Sequence, residues 1–264
     1  MTDTPLPPET RCAPAQDRAL LRVAGTDRVK FLQGLVTQDM ARVARDGIAY
    51  GALLTPQGKL IADFLLVAAP DAVLIDVDAA LAGDLARRLA MFRLRSQVTI
   101  EPLEMPLTLG LGPAPAGALA DPRDPALGWR LYGQALTQGE APDWAAIRIA
   151  ARVPQSGIEL LPGESFILEL GFERLRGVDF RKGCYVGQEV TARMHHKTDL
   201  RRRLTRVAIS APVPVGTPVL MDDGREAGVL YTQAAGEGLA LLRRDRAEGP
   251  LTAAGAVVTL PDGL

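Results

Sequence analysis

The chain has 264 residues, of which 47% are hydrophobic and 23% charged, and its net charge is −1. This is the balance of a folded globular protein with a sizeable core, and it excludes a disordered or fibrous chain. The near-zero charge excludes a dedicated nucleic-acid binder, and no apolar run reaches the ~18–20 residues of a bilayer-spanning helix, so neither nucleic acid nor membrane is an expected partner.

Residues 1–16 read as a flexible leader. Its first nine residues are Pro-rich and acidic, without the basic and apolar regions of a signal peptide, so a cytoplasmic location is expected. Cys12 lies in this leader and reads as an exposed, incidental thiol; it could pair with Cys184 in principle, but in the cytosolic setting expected here both cysteines are expected reduced. Arg18 to Val23 reads as a strand. Thr26 is a plausible cap for a helix bearing Val29, Leu32 and Val36 on one face. Ala49 to Leu54 and Leu60 to Ala68 are apolar runs joined by the turn chemistry of Thr55-Pro56-Gln57-Gly58, hence a hairpin. A third strand, Val73 to Val77, precedes a helix opened by Asp78, with Leu81, Leu85, Leu89 and Phe92 at helical spacing. Successive strands followed by a helix imply an antiparallel α+β unit rather than a parallel sheet.

Glu101 to Asp143 is rich in Pro, Gly and Ala and predicts long loops with one or two short strands. Trp144 to Arg152 reads as a helix stopped by Pro154, and Leu168 to Leu175 is ambiguous. Beyond Leu204, short β-like runs (Leu204–Ile209, Pro218–Met221, Ala227–Tyr231, Leu239–Leu242, Ala256–Leu260) alternate with turn residues, as in a small β-barrel. The expected organisation is a leader over 1–16, a region of two intertwined α+β lobes over 17–203, and a C-terminal β-barrel over 204–264.

One segment concentrates the chemistry: Lys182-Gly-Cys-Tyr-Val-Gly-Gln-Glu189. The thiol of Cys184 stands between Gly183 and Gly187, where glycine permits positive φ and close approach of a ligand. Arg181 and Lys182 precede it, and neighbouring cations favour the thiolate, which is the nucleophile and metal ligand. From residue chemistry alone, a reactive thiol and a buried packing cysteine both remain open. Between Phe172 and Arg206 ten Lys/Arg face four Asp/Glu, a difference of +6. That stretch reads either as a solvated charged linker or as a site for an anion, such as a polyglutamate tail or an acidic partner. RNA is the weaker reading, since Tyr185 alone offers a stacking aromatic nearby. His195 and His196, read as adjacent on a strand, would point to opposite faces and make a poor zinc site, so no stably bound metal is expected.

The Lys182–Glu189 string, with Ala192-Arg193 after it, resembles the signature of the YgfZ family of folate-binding iron–sulfur assembly factors. Phe31-Leu-Gln-Gly-Leu-Val-Thr-Gln-Asp39 is similar to that family's N-terminal helix motif, and Leu54-Thr-Pro-Gln-Gly-Lys-Leu-Ile-Ala-Asp63 to its hairpin motif. Leu161-Pro-Gly-Glu164 and Arg201-Arg-Arg-Leu204 extend the likeness. The resemblance implies the GcvT/YgfZ-like folate-binding fold, shared with the glycine cleavage T-protein, an aminomethyltransferase: antiparallel sheets with helices in lobes about a folate-sized opening. It implies tetrahydrofolate as cofactor, iron–sulfur scaffold or carrier proteins and client enzymes as partners, and Cys184 as transient ligand or redox thiol, its pKa lowered by Lys182. Arg148, Tyr185, Gln188, Glu189 and Arg193 are the implied cofactor-binding or loop-supporting residues. The second reading is an enzyme, transferring an aminomethyl one-carbon unit to folate with Asp63 as polar catalyst; the third is an interaction module without ligand. One departure stands out. Relatives read Arg-Ile-Glu-Ala-Gly where this chain has Arg148-Ile-Ala-Ala-Arg152, so the glutamate expected to bind the pterin is Ala150. Another acid, Glu159 or Glu164, would have to accept from the pterin N–H groups, which lose about 1–3 kcal/mol each when buried unpaired.

Overall fold

A computed structural model describes residues 6–196, 200–261 and 263. Two compact units divide the chain: residues 1–54, 61–142 and 175–186 form one, and 55–60, 143–174 and 187–264 the other. The class is α+β with antiparallel sheets and a closed C-terminal barrel, as the residue patterns predict.

The first unit is built on β1 (Arg11–Pro14), β2 (Arg18–Ala24), α1 (Arg28–Gln33), α2 (Met40–Asp46), β3 (Ile48–Leu54), β4 (Leu60–Ala68), β5 (Ala72–Asp78) and α3 (Ala79–Phe92). β6 (Thr99–Leu103), β7 (Leu107–Leu111), β8 (Leu119–Ala120) and β9 (Trp129–Tyr132) follow. A five-stranded sheet runs in the order β3-β4-β5-β2-β6. β3 and β4 are buried along nearly their whole length, so both faces of the hairpin are covered. Leu32, Val36, Phe64, Leu66, Ile75, Leu85 and Leu89 share its core. Asp78 opens α3 by accepting from the Ala80 amide at 2.9 Å, as expected, while Phe92 at the far end is exposed. Asp27, rather than Thr26, precedes α1, and its side chain accepts from the Gln97 amide at 2.7 Å instead of capping the helix.

The second sheet of this unit, β1-β7-β9-β8, corrects the sequence reading. The leader was expected to be flexible, yet Arg11–Pro14 pairs antiparallel with Leu111–Thr108. Cys12 is buried against Trp129 and Leu131 rather than exposed, and burial pushes its thiol pKa up. The Pro/Gly-rich stretch expected to be mostly loop supplies the partner strands. At Gly110 a Cβ would stand 2.1 Å from the Trp129 ring, so glycine here makes room for the indole.

The second unit carries the hairpin turn Thr55–Leu60, α4 (Trp144–Ala151), α5 (Gln188–His196) and the barrel. Its strands are β10 (Arg202–Ile209), β11 (Thr217–Met221), β12 (Glu226–Ala234), β13 (Glu237–Arg243), β14 (Leu251–Ala253) and β15 (Ala256–Thr259). They close in the order β10-β13-β12-β11-β14-β15 around Val207, Val219, Leu230, Leu242 and Val258. β14, three residues long, escaped the sequence reading because it is too short for a period-two signal. The ambiguous Leu168–Leu175 segment forms turns, and α4 ends at Ala151, one residue short of the expected end, with Arg152 as its left-handed cap before Pro154.

Candidate functional site

The segment from Arg176 to Val186 is strapped to the loop after α1 by side chains of both. Gln38 donates to the Arg176 carbonyl at 2.6 Å and to the Tyr50 carbonyl at 2.7 Å. Thr37 Oγ1 donates to the Gly177 carbonyl at 2.6 Å, and the Asp179 amide donates to the Thr37 carbonyl at 3.0 Å. Asp179 Oδ1 then accepts from the amides of Arg181 (2.7 Å) and Lys182 (3.2 Å), which fixes the turn before the thiol.

Lys182 completes the attachment. Its Nζ donates to the carbonyls of Gln33 (2.8 Å), Val36 (2.5 Å) and Gln38 (2.9 Å). An ammonium has three N–H donors, and all three are committed to these carbonyls. The Lys182 charge expected to act on Cys184 is therefore held by the loop after α1, and the side chain anchors the motif. Burial pulls the ammonium pKa down to about 8, with Asp39 and Asp179 pulling the other way. Tyr185 is buried, with Lys182 Nζ 5.2 Å from its ring centre, and Val186 packs on the first unit's core. Between these two anchors Cys184 is exposed. A thiol in the middle of a strapped loop, between buried Lys182 and buried Tyr185, is presented to solvent rather than packed.

The left-handed backbone falls at Gly187 (φ 83°) and not at Gly183, where an added Cβ would meet no atom within 4 Å. Gly187 passes the chain into α5, and its carbonyl accepts from Thr191 Oγ1 at 3.1 Å. In the second unit the hairpin turn meets this helix: a Cβ on Gly58 (φ 75°) would lie 2.9 Å from Val190 Cβ. Two sequence motifs that are remote along the chain thus touch at a glycine.

The remaining expected site residues divide between the units. Asp63, on β4 in the first unit, is buried and accepts from the Tyr50 hydroxyl at 3.0 Å; burial raises the Tyr50 pKa well above its ordinary value. Arg148 stands half-buried in the last turn of α4. Gln188 begins α5, and Glu189 pairs with Arg193 at 2.6 Å on its exposed side, the i,i+4 spacing of a helix surface pair. His195 and His196 lie on this helix, not on the strand assumed for them, and His195 Nε2 stands 3.1 Å from Glu173. Part of the basic segment is engaged: Arg202 with Glu169 at 3.0 Å, Arg206 with Glu237 at 3.7 Å, and Arg174 donating to the Arg152 carbonyl at 2.6 Å. Lys197 and Asp199 lie outside the described residues.

The structure also tests whether this chain can replace the missing pterin acceptor. Ala150 is exposed on α4. Glu159 is buried and already accepts from the Gln155 amide (2.9 Å) and from the amide and hydroxyl of Thr232 (3.1 and 2.6 Å). It holds the chain after α4 to the barrel strand β12 and is not available as an acceptor for a ligand. Glu164 is exposed in a turn. Of the two acids that could stand in for the missing glutamate, Glu159 is therefore engaged and Glu164 stands exposed.

Sequence reasoning missed the buried ion network of the first unit. Asp76 accepts from Arg18 (2.7 Å), Arg130 (2.7 Å) and the Tyr132 hydroxyl (2.8 Å). Arg130 also pairs with Asp121 at 2.9 Å, and Asp121 pairs with Arg123 at 2.8 Å. The Arg123 guanidinium sits 5.5 Å from the Tyr50 ring, beside the hydroxyl that holds Asp63. These arginines keep the Asp76 and Asp121 carboxyls below the usual range despite burial. The spacing of these residues along the chain carries no local motif that would have identified them.

A family model described as the CAF17 C-terminal beta-barrel domain matches residues 201–263, the closed barrel. The human mitochondrial iron–sulfur cluster assembly factor IBA57 is 33% identical, across 91% of this chain and 79% of its own length. Its mouse counterpart, also mitochondrial, is 32% identical with the same coverage. The crystal structure of the glycine cleavage system aminomethyltransferase T from Bartonella henselae superposes with a TM-score of 0.75 over 96% of this chain and 86% of that one, at 14% identity, a likeness of fold alone. The cytoplasmic location expected from the N-terminal residues is overturned by these relatives, which are mitochondrial proteins. Taken with the strapped, exposed thiol in the Lys182–Glu189 motif, the identity and coverage place this chain in the CAF17/YgfZ-like family to which the IBA57 iron–sulfur cluster assembly factors belong.

Proposed function

We propose that this protein is an iron–sulfur cluster assembly factor that works through Cys184, with cluster scaffold or carrier proteins and client enzymes as its partners. One observation carries the reading: the Cys184 thiol is exposed at the centre of a loop whose two flanks, Lys182 and Tyr185, are buried. Deprotonated, its sulfur can form a bond to iron of a cluster in transit, the proton passing to solvent. A cluster needs typically four protein ligands, and among the described residues no three His, Cys, Asp or Glu side chains group together, so the other ligands come from partners. The loop's attachment limits how far the sulfur moves, which holds it in one place for exchange between proteins.

Aminomethyl transfer is the less favoured reading. The T-protein likeness supports the fold only, Ala150 stands where the pterin-binding glutamate was expected, and Glu159 is engaged by Thr232. The test is a deletion strain complemented by wild type and by Cys184→Ser, with cluster-dependent enzyme activities as readout. The variant is expected to fold normally and to lose support for those enzymes. Full rescue by Cys184→Ser would remove the thiol from the function.

A further inference from the structure

The first unit exposes large apolar side chains on α1 and around the end of α3. Val29 on α1, with Met91, Phe92 and Leu94 at the end of α3, stands out from a surface on which only Val215 and Val257 are otherwise large, apolar and exposed among the described residues. Met91 is 73% and Leu94 88% exposed. Between the two helices lies a groove of ≈ 860 Å³ lined by Phe31, Gly34, Leu35, Phe92 and Leu94, with Lys30 and Arg95 beside them. That volume accommodates several side chains. Leu94 also adopts a left-handed backbone (φ 42°), a conformation that a bulky residue rarely takes. A leucine that is both strained and displayed to water gains nothing for the fold, which marks it for a contact outside the chain.

The rim of the groove is cationic. Lys30 and Arg95 line it together with Asp27. Asp84 is taken by Arg87 and Arg88, and Asp27 accepts from the Gln97 amide, whereas Lys30, Arg93 and Arg95 make no ion pair among the described residues. An apolar groove edged by unpaired cations is complementary to an acidic segment that carries apolar anchors. A lipid surface fits less well, because the apolar stripe of α3, Leu85 and Leu89, is already buried in the core and the exposed remainder is concave.

We propose that this groove docks an acidic, leucine- or phenylalanine-bearing segment of a partner protein. The inference deepens the assembly-factor reading, which requires such partners. The segment that forms the groove floor, Gly34 and Leu35, runs directly between the Gln33 and Val36 carbonyls that hold Lys182. A partner bound there contacts the stretch of backbone to which the Cys184 loop is fastened.

The experiment uses the whole chain and a fluorescein-labelled, glutamate-rich peptide bearing leucine and phenylalanine anchors, with a lysine-for-glutamate peptide as control. The acidic peptide is expected to bind, the lysine peptide not, with amide NMR shifts concentrated at residues 27–35 and 91–97. K30E/R95E and Leu94→Ser are each expected to raise Kd at least about tenfold, and added salt to weaken binding. Gly34→Leu tests the groove itself: a Cβ there has no neighbour closer than 3.9 Å, so the longer side chain fills the space without straining the fold, and binding is expected to fall equally. Cys184→Ser is expected to bind the peptide as wild type does, so a failure of the thiol chemistry leaves this test readable. The proposal is overturned by equal or absent binding of both peptides, or by shifts elsewhere on the chain. It is equally overturned by retention on phosphatidylserine vesicles lost in Leu94→Ser, or by a wild-type dimer that Leu94→Ser converts to monomer.

Discussion

Replacing Lys182 with methionine isolates the anchor from the thiol it positions. The apolar stem keeps its length, while three carbonyl oxygens, of Gln33, Val36 and Gln38, lose donors at 2.8, 2.5 and 2.9 Å. Val36 and Gln38 are fully buried, so water does not replace the ammonium without opening the loop. Each orphaned acceptor costs about 1–3 kcal/mol. Carbonyls tolerate losing one partner better than amides do, and removing a buried ammonium relieves its desolvation, so the lower end applies and the sum is about 3 kcal/mol. For a chain of this length that corresponds to a fall in Tm of about 6 °C. Thermal unfolding by circular dichroism measures the total. Hydrogen exchange locates it, with protection falling at residues 33–39 and 177–187 before the barrel. A Lys182→Met protein within about 0.5 kcal/mol of wild type, its exchange unchanged in those segments, would refute the anchoring argument.

Asp76→Asn removes one charge from a site that holds two arginines and a tyrosine hydroxyl. It leaves Arg130 under-compensated in the interior and is expected to cost about 3–5 kcal/mol in urea denaturation; a change below about 1 kcal/mol would count against the network. Arg152 closes α4 in the left-handed region (φ 50°), and its stabilising contact there is made by its carbonyl. Arg152→Gly keeps that contact and is expected to raise stability by up to about 1 kcal/mol, with a lower Tm as the contrary result. Ala150→Glu puts a carboxylate back at the position where relatives carry one and is expected to strengthen tetrahydrofolate binding in isothermal titration, an unchanged affinity being the refuting outcome.

The class of the fold was legible because its signals are local. The turn residues Thr55-Pro56-Gln57-Gly58 between apolar runs specify the hairpin, and Asp78 before a helical stripe specifies α3. Short β-runs between glycines specify the barrel. The exposure of Cys184 was not legible in the same way, since residue chemistry left a reactive thiol and a buried packing cysteine both open until the fold exposed it.

What tertiary structure decided is which groups meet across long stretches of chain. Lys182 reads as a cation beside a thiol, yet its acceptors lie 144–149 residues away, and its charge is engaged there. Cys12 looks like part of a leader because four residues of edge strand in a Pro-rich setting carry no period; pairing with β7 buries it. Glu159 reads as a spare carboxylate until Thr232 of the barrel takes it, and no local motif marks Asp76 and Asp121 as the acids that Arg130 joins. A residue's own neighbours set its backbone conformation and its tendency to be buried. Whether a buried charge is matched depends on partners that only the folded chain brings within a few ångströms.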